Sequence, residues 1–200
     1  MSFVRMLAHA DIYTVEGLVA TTSWWLNDTT APEAMLDIID KYEIVRANLQ
    51  THTDGDFPTA SYLRNQVTTG PKVFGTYALD ALENGEALSD GAQLLIDVVG
   101  ASDEKLYIQA WGSVNKLAQA LWSVRKTRSV ADVATFVSKL SLYTISDQDN
   151  AAFWIRHTFP ELRYLASIHG LNQYGDSAWL GISSIGYYVG GPNATVVSQA

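Results

Sequence analysis

The chain has 200 residues, of which 48% are hydrophobic and 17% are charged, a composition typical of a globular domain. Its formal net charge of −8 and its scattered basic residues disfavour nucleic acid as a partner, because nucleic-acid affinity depends on clustered Lys and Arg. The absence of cysteine excludes disulfides and Cys-ligated metals. No apolar run approaches the roughly 20 residues that span a bilayer, so we expect no membrane partner. Residues 1–10 lack the pattern of a signal peptide.

Short β-rich runs alternate along the chain with helical patterns. The runs are residues 15–22, 106–111, 140–145 and 163–168. Such alternation predicts an α/β fold, a Rossmann-like doubly wound sheet that is mostly parallel and has helices on both faces. We expect the four runs to be parallel neighbours, with Trp111 and Asp147 at the same edge of the sheet.

Apolar residues at three- and four-residue steps predict five helices between and around these strands. They cover residues 35–49, a stretch after Ser89, residues 114–122, a stretch after Ser129, and residues 150–158. Thr30-Ala31-Pro32-Glu33 has the pattern of a capping box with proline in the first turn, and Asp149 can cap the fifth helix. Residues 50–87 and 170–200 show weak periodicity, and we predict that loops dominate them.

Ligands of open parallel sheets bind beyond the carboxyl ends of the strands. Applied here, this rule gives a set of candidate substrate-binding residues: Trp24, Asn27, Trp111, Asn115, Asp147, Gln148, Asp149 and Trp179. The tryptophans among them either stack on a ribose, base or glucan ring or lie buried under loops. The two carboxylates either line a ligand site, where paired carboxylates can divide acid and base roles, or close a turn and cap a helix. No catalytic residue is assigned.

Motifs of several enzyme classes are missing from the sequence. It contains no G-x-S-x-G elbow, no P-loop and no G-x-G-x-x-G. Serine hydrolase, nucleoside triphosphatase and dinucleotide-binding functions therefore lack support.

Four segments, residues 11–23, 111–122, 143–151 and 179–183, resemble the family of cellulose-binding, nucleoside hydrolase-like proteins. The resemblance follows nearly the whole chain in the right order. The first domain of that family is similar to inosine–uridine-type nucleoside hydrolases, which cleave N-glycosidic bonds with a calcium ion. The resemblance implies the same doubly wound fold, a nucleoside, sugar or polysaccharide as ligand, and a secreted or periplasmic location.

The resemblance also implies that residues 1–200 form a single partial domain, truncated at both ends. The hydrolases hold calcium and their general base in an Asp-rich run after a first strand, and this strand, its carboxylates and the C-terminal part have no counterpart here. Asn115 matches a residue whose backbone carbonyl helps to bind calcium, or it is simply a turn residue that enters the third helix. We therefore expect no metal site and no cofactor in this chain, and calcium only in a full-length family member.

Two functions follow as alternatives, beside a structural remnant without a ligand. The first is hydrolysis of N-glycosyl bonds, the activity that the resemblance implies, and the second is a glycan- or cellulose-binding module without catalysis. The acidic run distinguishes them, and its absence favours the second, with no nucleoside hydrolase activity and no tight calcium binding. Loss of a first strand would expose the edge of residues 15–22, so we also expect marginal stability and self-association.

Overall fold

The computed structural model describes residues 2–167, in which eight helices alternate with five strands. In chain order the elements are α1 (Ser2–Leu7), β1 (Leu18–Ala20), α2 (Pro32–Gln50), α3 (Ala60–Asn65), β2 (Val67–Thr69), α4 (Tyr77–Glu83), α5 (Asp90–Ala101), β3 (Leu106–Ala110), α6 (Asn115–Thr127), α7 (Val130–Ser138), β4 (Leu140–Ile145), α8 (Ala151–Thr158) and β5 (Arg163–Ser167). The predicted α/β fold is confirmed. Trp179 and the predicted loops of residues 170–200 lie outside the described residues. No helix in the described part is both long and apolar enough to cross a membrane.

Every strand pair is parallel, and the strands form two sheets of order β1-β2 and β3-β4-β5. Leu106 lies opposite Leu140, and Ser141 lies opposite Arg163. The parallel pairing predicted for the last three β-rich runs is confirmed. The prediction that residues 15–22 neighbour those runs is wrong, because β1 pairs with β2, and no ladder within residues 2–167 joins it to β3.

Most of residues 50–87 lie in turns and loops, as predicted, but the segment also contains three short elements that were not predicted, α3, β2 and α4. These elements have only six, three and seven residues, too few to show a clear hydrophobic period. The Thr59 side chain begins α3 by accepting a hydrogen bond from the backbone N–H of Tyr62, as an N-cap residue does. Local capping rather than periodicity therefore marks the start of α3.

Helices α5 and α7 begin directly after Ser89 and Ser129, as predicted, whereas the cap predicted for α2 is not formed. Ser89 and Ser129 accept hydrogen bonds from backbone N–H groups of the first turns of α5 and α7. The capping box predicted at Thr30 is wrong, because Ala31 is the N-cap of α2 and the buried hydroxyl of Thr30 has no hydrogen-bond partner. Thr30 lies one residue too early to reach the free N–H groups of the first turn.

Residues 2–167 contain two apolar cores, one for each sheet. The first contains Leu7, Leu18, Ile39, Tyr42 and Leu63, and the second contains Leu95, Leu117, Leu121, Leu142 and Ile155. Burying each large aliphatic side chain contributes roughly 1.5–3 kcal/mol, so each core stabilises its own sheet. Helix α5 belongs to the second core but also packs on the first sheet through Gly91, where a Cβ would lie 2.4 Å from Val19 Cγ1.

Candidate functional site

Four loops meet at the carboxyl ends of the strands. They are residues 21–27 after β1, 70–76 after β2, 111–115 after β3 and 146–150 after β4, and together we name them the rim. The backbone N–H of Ser113 donates to the carbonyl of Thr22 at 2.9 Å, which joins the two sheets at this edge. The prediction that Trp111 and Asp147 share one edge is confirmed, because β3 and β4 are parallel neighbours.

Asn115 is fully buried in the rim, where it begins α6. Its amide nitrogen donates to the carbonyl of Val73 at 2.7 Å and to the Thr22 hydroxyl at 3.1 Å, with a longer contact of 3.4 Å to the carbonyl of Pro71. Its side-chain oxygen accepts from the N–H of Lys116 at 2.9 Å. The amide therefore joins the 21–27 loop, the 70–76 loop and α6.

Asp149 and Lys116 form a buried polar group around Ser113. The Asp149 carboxylate accepts hydrogen bonds from the Ser113 hydroxyl and from the N–H of Ala151 at 3.1 Å, so it satisfies the first turn of α8 as a cap does. Lys116 Nζ donates to the carbonyl of Ser113 at 2.7 Å. Burial lowers the pKa of Lys116 to about 8, although the charge of Asp149 opposes the shift. Burial likewise raises the pKa of Asp149, against the hydrogen bond from Ser113 and the charge of Lys116.

The side chains of Asp147 and Gln148 bind other parts of the same edge. Asp147 is exposed, forms an ion pair with Arg156 and accepts a hydrogen bond from the Tyr164 hydroxyl at 2.7 Å. Burial and then the adjacent Asp147 raise the pKa of Tyr164. Gln148 donates to the carbonyl of half-buried Trp111 at 2.8 Å. The two carboxylates of the loop are therefore engaged with different partners.

The 21–27 loop presents two tryptophans at the surface. Trp24 is 62% exposed and Trp25 is 83% exposed, and Asn27 is exposed in the same loop. A tight turn holds them there, because the N–H of Ser23 donates to the carbonyl of Leu26 and the N–H of Leu26 donates to the Ser23 hydroxyl. The Trp24 ring meets the ring of Phe74 edge-on, with centroids 6.0 Å apart. We name Trp24, Trp25 and Phe74 the aromatic surface.

Phe74 lies in the 70–76 loop, which Asn150 holds at its end. The N–H of Thr76 donates to Asn150 Oδ1 at 2.8 Å, and Asn150 Nδ2 donates to the Thr76 hydroxyl at 3.0 Å. Gly75 has a positive φ of 50°, and a Cβ there would lie 1.8 Å from Asn150 Oδ1. Sequence reasoning missed this loop, although Gly70-Pro71 followed by Gly75 is the composition of a defined turn.

A separate surface depression of about 210 Å³ lies away from the rim, near the amino end of β4. Its lining includes Arg128, Phe136 and Lys139. Both cations are engaged, because Lys139 pairs with Asp103 at 2.9 Å and Arg128 packs over the Phe136 ring at 5.3 Å. The rim, which lies at the carboxyl ends of the strands, is the candidate site.

Comparison with known proteins assigns the family. Residues 1–200 match the family model of the cellulose-binding Sde182, nucleoside hydrolase-like domain. The chain belongs to this family. A solved structure of a nucleoside hydrolase-related hypothetical protein from Saccharophagus degradans, associated with carbohydrate metabolism, is similar at 34% identity and a TM-score of 0.74. The similarity covers 80% of this chain and 38% of that protein, and no curated protein matches.

Within this nucleoside hydrolase-like domain, the rim gathers most of the residues that the strand-end rule selected. Asn115 and Asp149 are linked by hydrogen bonds through Ser113, and Gln148 bonds to Trp111 at the same edge. Trp24 and Asn27 lie on the exposed loop beside them. Sequence reasoning missed the residues that complete the arrangement, namely Thr22, Phe74, Ser113, Lys116 and Asn150. In residues 2–167 no group of three or more His, Cys, Asp or Glu side chains is placed to hold a metal ion.

Proposed function

We propose that this nucleoside hydrolase-like domain binds a polysaccharide, cellulose or a related glucan, through the aromatic surface. The observation that carries the proposal is the pair of exposed tryptophans on a loop fixed by its own turn, with Phe74 supporting Trp24. A pyranose ring has an apolar face that stacks on an indole, while the sugar hydroxyls remain free for polar groups such as Asn27. Exposed aromatic side chains that lie together on a surface are typical of binding sites.

We also propose that residues 1–200 neither hydrolyse nucleosides nor bind calcium tightly. The support comes from the buried polar residues of the rim, whose side chains have protein partners. Asp149 accepts from Ser113 and Ala151, and the Asn115 amide donates to Val73. A calcium ion requires six to eight oxygen ligands, many of them from carboxylates. A polysaccharide ligand also fits a secreted or periplasmic location, which we propose together with it.

The contribution of one tryptophan can be estimated from the area that a sugar would cover. A stacked ring covers about 80 Å² of an indole, and at about 25 cal/mol per Å² this burial contributes roughly 2 kcal/mol. Substituting Trp24→Ala or Trp25→Ala should therefore weaken cellulose binding about 30-fold.

Binding isotherms on insoluble cellulose test this proposal. Tyr107→Ala is the matched control, because Tyr107 is an aromatic residue of similar exposure, 68%, in β3 and outside the rim. We expect the control to bind as the wild type does. A wild type that does not bind cellulose or soluble glucans would overturn the function, and tryptophan variants that bind normally would overturn the site. Calcium titration by calorimetry and an inosine hydrolysis assay test the second part, for which a micromolar calcium site or measurable turnover would be the contrary result.

A further inference from the structure

The aromatic surface is built by both sheets. Phe74 belongs to the loop after β2, but the hydrogen bonds that fix this loop come from side chains beyond β3 and β4. Asn115 donates to the carbonyl of Val73 at 2.7 Å, next to Phe74 in the chain. Asn150 pairs with both the N–H and the hydroxyl of Thr76, two residues after Phe74. The loop is thus held on both sides of the residue that contacts Trp24.

The backbone of the loop is matched to one of these partners. Gly75 adopts a positive φ, and the space that a Cβ would occupy there is filled by Asn150 Oδ1. A side chain at this position would have to displace Asn150 and with it the hydrogen bonds to Thr76. The loop conformation and the place of Asn150 therefore depend on each other.

We propose that Asn115 and Asn150 are positioning residues of the aromatic surface, which they assemble by holding Phe74 against Trp24. The proposal rests on the proposed function in so far as the surface binds glucan. The asparagines themselves need not contact the ligand. They affect binding by holding the 70–76 loop. Loss of their hydrogen bonds to this loop should therefore release Trp24 from its edge-on contact with Phe74.

The two asparagines bind different backbone groups of the 70–76 loop, which makes a sharp test available. Asn150 accepts from a backbone N–H, and its other partner is a hydroxyl, which can donate as well as accept. Asn150→Asp therefore keeps both contacts. Asn115 donates to backbone carbonyls, so Asn115→Asp would place a carboxylate oxygen against the Val73 carbonyl. The same substitution is thus tolerated at one position and disruptive at the other.

Asn150 is the better position for the experiment because it is exposed and its side chain does not cap α8. Its substitution should leave the fold intact. We expect Asn150→Ala to weaken cellulose binding about fivefold through the lost hydrogen bonds, and Asn150→Asp to bind within about twofold of the wild type. If Asn150 acts through Trp24, then Asn150→Ala has no further effect in a Trp24→Ala background, because changes that act on one contact are not additive.

A measurement without ligand separates this inference from the proposed function. Nuclear Overhauser contacts between the rings of Trp24 and Phe74 should be present in the wild type and in Asn150→Asp and should be lost in Asn150→Ala. Ring contacts that persist in Asn150→Ala would overturn the inference, whether or not the protein binds cellulose. Additive losses in the double variant, or equal losses in the Ala and Asp variants, would overturn it as well. A wild type that shows the contacts but binds no glucan would overturn only the function.

Discussion

The buried Lys116 makes the free energy of unfolding depend on pH in the mildly alkaline range. Lys116 is only 6% exposed, and burial lowers its pKa from 10.5 to about 8. Between these two values the unfolded chain holds a proton that the folded chain has released, so the folded state gains stability as the pH rises. Below pH 8 both states are protonated and the folded state bears the full cost of a buried charge. From pH 7 to pH 9.5 the gain is about 2 kcal/mol.

Urea unfolding at pH 7 and pH 9.5 measures this gain directly. The upper limit avoids the tyrosines, because burial raises the pKa of Tyr13 and of Tyr42 to about 12. The unfolded chain loses those protons above about pH 10 while the folded chain retains them, so stability falls there. Lys116→Met keeps the volume of the side chain without its charge and should abolish the rise. A wild-type stability that is flat or falling from pH 7 to pH 9.5, or an equal rise in Lys116→Met, would refute the reasoning.

Two further predictions concern packing and association. Gly91→Ala should destabilise the fold by about 1–3 kcal/mol, because its Cβ would lie 2.4 Å from Val19 Cγ1 and 3.1 Å from the carbonyl of Thr69. Gly100→Ala in the same helix has nothing within 4 Å and should stabilise the fold by up to about 1 kcal/mol, and urea unfolding in which the two variants behave alike would contradict this. The described structure leaves one edge of β3 unpaired, so sedimentation velocity should show concentration-dependent self-association, and Gln109→Lys on that exposed strand should reduce it. A monomer at all concentrations would rule out association through this edge.

Much of the fold could be predicted from the sequence because its signals are local. Residues 140–145 form a strand as predicted, and α5 and α7 begin directly after Ser89 and Ser129, where the pattern placed them. The partner of β1 could not be predicted. Strand β2 has three residues, which are β-branched but too few to show the alternation of a strand. The pairing of β1 with β2 depends on packing across 49 residues of chain, since Leu18 lies opposite Val67.

The grouping of the candidate residues could be predicted, but their contacts could not. The rule that ligands lie at the carboxyl ends of parallel strands selected residues that the structure brings together at the rim. The role of each residue depends on partners that are distant in the sequence. Asn115 is 42 residues from Val73, and Asn150 is 74 residues from Thr76, so no local pattern reveals that these amides hold a loop. For Asn115 the sequence suggested either a calcium ligand or a turn residue. Neither alternative includes the hydrogen bond that its side chain donates to the 70–76 loop.

The division of the interior into two cores has a consequence for how the chain acquires its structure. The first core is formed by residues from Phe3 to Val67, and the second by residues from Leu79 to Tyr164. Each core is thus contiguous along the chain, and a ribosome would release all of the first before the second is complete. Units of this kind open separately in native-state hydrogen exchange. The backbone amides that join the two cores at the rim, such as the N–H of Ser113, belong to neither core. Their protection from hydrogen exchange would therefore show when the two halves pack together.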